Sequence, residues 1–123
     1  MLNLPGSVRI FLCTEPADMR RSFDGLAQMV TQSIGQDPLS GHLFVFRNKR
    51  ADRVKLLYWD RDGLALWYKR LEQGTFSWLT AKADASGLEI SRSQLALLLE
   101  GVDMSSVKMK KRYVHPQQSL PYR

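Results

Sequence analysis

Apolar and polar positions alternate with period two over most of the stretch from Leu43 to Leu79. Val54, Leu56 and Tyr58 fall on one side of an extended run, and Lys55, Leu57 and Trp59 on the other. Leu64, Leu66, Tyr68 and Arg70 alternate in the same way with Ala65, Trp67, Lys69 and Leu71. Between the two runs stands Asp60-Arg61-Asp62-Gly63. Asp-Gly at such a place signals a tight hairpin, because Gly takes positive φ without steric cost. Asn48–Asp52 makes a longer polar loop before the first run, and Glu72-Gln73-Gly74 makes a turn after the second. The pattern predicts a four-stranded antiparallel meander over His42–Phe46, Val54–Trp59, Leu64–Leu71 and Thr75–Leu79.

The flanking segments change period. Val8–Cys13 is apolar on both of its faces and predicts an interior strand. Phe23, Leu26, Ala27, Val30 and Ile34 recur at helical spacing, with Asp18 or Ser22 as N-cap and Gly35 as C-cap. Gly25 inside that helix suggests a close approach to the sheet. Leu88–Ile90 reads as a short strand. Ser91-Arg92-Ser93-Gln94 is a capping box, and the stripe Leu95, Leu98, Leu99 and Val102 predicts a second helix ending at Gly101. Residues 104–123 are basic and proline-containing and predict an extended tail. The expectation is an α+β domain over residues 1–103, with an antiparallel sheet of four to six strands. Two helices would cover one face and leave aromatic surface on the other, and a basic tail would follow over 104–123.

The stretch FVFRNKRADRVKLLYWDRDGLALWYKRLEQGTF resembles the signature of the small accessory TnpB family, encoded by the second reading frame of insertion sequences of family sixty-six. Asp18-Met19-Arg20, Asp37-Pro38-Leu39-Ser40-Gly41, Gln94-Leu95 and Leu98-Leu99-Glu100-Gly101 match the same family in order, so the resemblance spans roughly residues 8 to 102. It implies a role in DNA transposition beside the transposase and other proteins of the element. It implies no reaction.

Charge and candidate chemistry bear on what that role could be. The net charge is +6 over 123 residues. Residues 43–80 carry eight basic and four acidic side chains, and residues 104–123 carry five basic and none acidic. A basic domain of this kind favours polyanionic partners, nucleic acid first. Arg47, Lys49, Arg50, Arg53 and Lys55 surround the first meander loop, and Lys108, Lys110, Lys111 and Arg112 form a tail cluster. These nine are the candidate DNA-binding residues. Trp59, Trp67 and Tyr68 are the candidate partner surface, for the transposase or for a second copy of the chain.

Catalysis finds less support. Asp60, Asp62 and Glu72 are the tempting carboxylates for a metal-dependent nuclease. The intervening strand spans roughly 26 Å, however, so Glu72 cannot readily join the other two. His42 and His115 have no nucleophile beside them, and no glycine-rich phosphate loop occurs. No catalytic residue, metal site or cofactor is expected. Cys13 is a lone thiol, and neither a membrane span nor a signal core is apparent, so the cytoplasm is the expected compartment. The reading is a non-catalytic accessory of transposition that binds element DNA, the transposase or both. The alternative is a protein–protein adaptor that never touches DNA.

Overall fold

The structure, a computed structural model, describes residues 4–78 and 87–100, together with the backbone of 102–103 and 108–109. The elements in chain order are β1 (Ile10–Cys13), α1 (Phe23–Met29, continuing as a π-helical turn over Val30–Ile34), β2 (Leu43–Arg47), β3 (Arg53–Asp60), β4 (Gly63–Arg70), β5 (Gly87–Ile90) and α2 (Arg92–Glu100). Val102–Asp103 and Lys108–Met109 form a separate two-residue antiparallel ladder, β6 and β7. The remaining residues of the predicted tail lie outside the described residues.

β1 to β5 form one mixed sheet in the order β4-β3-β2-β1-β5. β2, β3 and β4 are the antiparallel meander expected from the alternating pattern. β1 pairs parallel with β2 and antiparallel with β5, which makes it the interior strand its two apolar faces predicted. The helix after β1 supplies the crossover that a parallel pair needs.

Alternation sends Ile10, Leu12, Leu43, Val45, Val54 and Leu56 to one face, where they pack with Leu95, Leu98 and Leu99 of α2. Phe11, Cys13, Phe44, Phe46 and Leu57 point to the other face, against Leu26, Met29 and Val30 of α1. The helices therefore cover opposite faces rather than sharing one. A sheet that carries apolar residues on both sides of its central strands requires cover on both sides.

Ser22 is the N-cap of α1, although its side chain makes no capping bond. Gly35 ends the helix in the left-handed region, and its amide donates to the Val30 carbonyl. The space around Gly25 is filled by the side chain of Arg21 rather than by the sheet. The capping box is formed in both directions: the Ser91 amide donates to Gln94 Oε1 at 2.8 Å, and the Gln94 amide to Ser91 Oγ at 3.1 Å. In the β3–β4 hairpin it is Arg61, not Gly63, that takes positive φ.

The fourth meander strand does not form. Over 75–78 the chain makes no strand and crosses the end of the sheet instead. The Leu71 amide donates to the Asp52 carbonyl and the Phe76 amide to the Ala51 carbonyl, which ties this strap to the β2–β3 loop. Phe76 is buried in the α2-side core and Trp78 packs at its margin. Burying Phe76 and packing Trp78 against the α2-side core is incompatible with extending the chain along the outer edge of β4.

Candidate nucleic-acid interface

The β2–β3 loop is held by the Asn48 side chain together with backbone bonds from the Asn48 amide to the Arg53 carbonyl and from the Ala51 amide to the Asn48 carbonyl. Asn48 Oδ1 accepts the amides of Asp52 and Arg53 at 3.1 and 2.9 Å, and Asn48 Nδ2 donates to Asp52 Oδ1 at 2.6 Å. That last bond holds the Asp52 carboxyl below the usual range. Ala51 closes the turn with φ near 58°. Lys49 and Arg50 are exposed at the tip.

The hairpin places a second cation beside this tip. The two-residue turn fixes the register from Asp60↔Gly63 down to Arg53↔Arg70, so these two arginines stand directly opposite on one face. Like charges in that position destabilise a strand pair. Arg53 Nη1 donates to the Tyr68 hydroxyl at 3.2 Å, and Arg70 pairs with Glu72 at 3.0 Å. Arg53 forms the wall between two shallow hollows. One of about 350 Å3 is lined by Asp18, Met19, Lys49, Arg50 and Asp52 among others, and one of about 420 Å3 by Tyr68, Arg70 and Glu72. Lys49, Arg50 and Arg53 form no ion pair with any described residue. The corner thus carries four basic side chains, Lys49, Arg50, Arg53 and Arg70, interspersed with the carboxylates of Asp18, Asp52 and Glu72 around two concavities.

Two residues of the expected set are employed elsewhere. Lys55 is buried: Nζ donates to the Met19 and Arg21 carbonyls at 2.8 and 2.7 Å and lies over the Tyr68 ring. It therefore ties the segment before α1 to the sheet and presents no charge to a ligand. Arg47 points to the α2 side of the sheet, where Nη2 donates to the Thr14 carbonyl at 3.0 Å and the guanidinium stacks on Trp78. Burial pushes its pKa down. The side chain of Lys108 and all of Lys110, Lys111 and Arg112 lie outside the described residues.

The aromatic trio does not make one surface. Tyr68 and Trp59 are on the α1 side, but Tyr68 is opposite Lys55, whereas Trp59 is opposite Leu64 near the far end of the hairpin. Four residues of strand separate the two levels, about 13 Å. There Trp59 lines a different hollow with His42 and Arg61. Trp67 is on the α2 side and packs against that core. Arg70 and the Tyr68 hydroxyl are contributors to the basic corner that the pattern of charges alone did not single out. Counting outward from the two-residue turn was the signal that would have found them.

Asp60 and Asp62 sit at the hairpin turn, while Glu72 follows the opposite end of β4. Among the described residues no three His, Cys, Asp or Glu side chains gather as metal ligands, and no helix is long and apolar enough to cross a membrane.

The chain folds as a mixed-sheet α+β unit with a group of basic side chains at the β2–β3 loop. The chain belongs to the IS66 Orf2 like family, whose model matches residues 8–109, and it is accordingly a transposition-associated accessory protein of an insertion sequence. It is 39% identical over 110 residues to uncharacterized protein y4jC of Sinorhizobium fredii (strain NBRC 101917 / NGR234), covering 89% of this chain and 92% of that one. It is 36% identical over 119 residues to uncharacterized protein y4hO of the same strain, covering 97% and 94%. No solved structure matches the chain.

Proposed function

We propose that the protein supports transposition by holding element DNA through its phosphate backbone, using Lys49, Arg50 and Arg53 with Arg70 beside them. Lys49, Arg50 and Arg53, none of them in an ion pair with a described residue, carry this reading, because such cations gain from phosphate oxygens, whereas Arg70 opposite Arg53 already holds Glu72. Lys108, Lys110, Lys111 and Arg112 add a second basic segment in the sequence, which strengthens the electrostatic hold. The chemistry is binding, not bond cleavage. The work takes place in the cytoplasm, beside the transposase and other proteins of the element.

The test is fluorescence anisotropy with labelled element-end duplex, the matching single strand and a scrambled duplex across a salt series. Duplex affinity should fall steeply with salt. Reversing Lys49, Arg50 and Arg53 to Glu should weaken it and reduce the slope by about 0.9 for each phosphate that is no longer neutralised. Circular dichroism should stay that of the native fold. Salt-insensitive or absent binding by the wild-type protein refutes the DNA role, and the adaptor reading then leads.

A further inference from the structure

We infer that the outer edge of β4 is an interface between two copies of this chain, joined strand to strand so that the two sheets run on as one. β4 is the terminal strand of the sheet, and its eight residues pair with β3 in unbroken register. In an antiparallel ladder alternate residues exchange bonds with the neighbouring strand, and a two-residue turn makes its closing pair a bonded one. Gly63, Ala65, Trp67 and Lys69 therefore bond to β3, and the amides and carbonyls of Leu64, Leu66, Tyr68 and Arg70 face outward. No described residue bonds to those four backbones.

Exposed edges are usually blunted by proline, a bulge or a charge in mid-strand. β4 has none of these. Its central residues Leu64, Ala65, Leu66 and Trp67 are uncharged and only partly buried. The charges stand at its two ends and differ in net sign: Asp60, Arg61 and Asp62 at the turn carry a net −1, and Lys69, Arg70 and Glu72 at the other end, where Arg70 pairs with Glu72, carry a net +1.

That asymmetry selects both the occupant and the orientation. A parallel second strand would set like charge beside like. An antiparallel copy related by a two-fold axis sets each basic end beside an acidic turn. Centring the axis on Leu66 places Asp62 opposite Arg70 of the second copy, Leu64 opposite its Tyr68, and small Ala65 opposite its large Trp67. Centring it on Trp67 instead places Leu64 against Arg70 and Ala65 against Lys69, so no charges are matched. The Leu66-centred register is the one the sequence of β4 supports.

The two-fold axis stands perpendicular to the sheet, so both basic corners face the same way. Arg53 and its counterpart are then separated by eight residues along the strands and three strand spacings across, about 30 Å. This is close to one turn of B-DNA, about 34 Å. Only that spacing rests on the DNA reading; the dimer stands without it.

The experiment needs no DNA. The Asp62→Cys, Arg70→Cys double variant is oxidised and run on a non-reducing gel beside each single variant. The double variant should form a covalent dimer and the singles should not, because each position lies about 27 Å from its own counterpart. The native Cys13 is buried and does not interfere. Sedimentation equilibrium supplies a second measure. Arg70→Asp should weaken self-association about tenfold or more, and combining it with Asp62→Arg should restore it. A wild-type chain that stays monomeric to millimolar concentration overturns the proposal. So does a double-cysteine variant that links no better than the singles, or a charge swap that restores nothing.

Discussion

Replacing Lys55 by Met retains the aliphatic stem and removes the ammonium group. The side chain is 5% exposed, and Nζ satisfies two carbonyls of the segment that leads into α1. Hydrogen bonds from a charged donor contribute about 1.5–3 kcal/mol each. The contact over Tyr68, at 4.7 Å from the ring centroid, adds about 0.5–2 kcal/mol. Removing a buried cation also recovers part of its desolvation cost, which is several kcal/mol. The net loss should be about 2–3 kcal/mol, enough to lower the melting temperature of a domain this size by about 10–15 °C. Thermal denaturation followed by circular dichroism measures it, and hydrogen exchange should quicken first in the amides of 18–24. Below the new melting point the salt slope of DNA binding should be that of the wild type, because Nζ never faces a phosphate. A melting temperature within about 3 °C of wild type, together with a reduced salt slope, would refute the placement of Lys55 as a structural cation.

Other perturbations have equally definite outcomes. Gly87→Ala sets a Cβ 2.9 Å from Ile34 Cγ2 and 3.3 Å from its Cα; denaturant titration should show a loss of about 1–3 kcal/mol. Ser91→Ala removes half of the capping box and should cost about 1 kcal/mol by the same titration. Asp18 has its pKa lowered to about 2, chiefly by the hydrogen bond from Arg20. Because the folded value is depressed, this pair's contribution is complete above the ordinary carboxylate range and is lost as the pH falls through about 2. An NMR titration should find the Asp18 midpoint there and see it rise in Arg20→Ala.

Local chemistry was the most legible part of the fold. The capping box and Gly35 as a helix end are each set by neighbours within a few residues, so their sequence signals transfer directly to the structure; the hairpin forms where Asp-Gly placed it, with Arg61 rather than Gly63 at positive φ. The meander's fourth strand failed for the opposite reason. Thr75–Leu79 alternates as a strand should, but the long-range burial of Phe76, with Trp78 packed beside it, overrides that local pattern. The site divided along the same line. Lys49 and Arg50 sit on a loop tip, where exposure follows from position. Arg47 and Lys55 stand on strands beside it, and alternation alone could not tell which carbonyls would lie above them. The aromatic trio was scattered for a reason the sequence contained: Trp67 is an odd neighbour to an even Tyr68 on one strand, and adjacent strand residues cannot share a face.

The position of β1 inside the sheet, between β2 and β5, governs the order in which the chain can fold. The meander needs only neighbours close in sequence, so it can form early and alone. β1 must wait, because Ile10 finds Leu43 on one side and Ile90 on the other. Closing loops of that length is entropically slow, and contacts so far apart in sequence delay the rate-limiting step. On a ribosome β1 emerges before both of its partner strands and is enclosed only after the second of them. Its four apolar residues stay open on one edge until residues 87–90 have left the exit tunnel, and a chain truncated before them cannot complete its sheet.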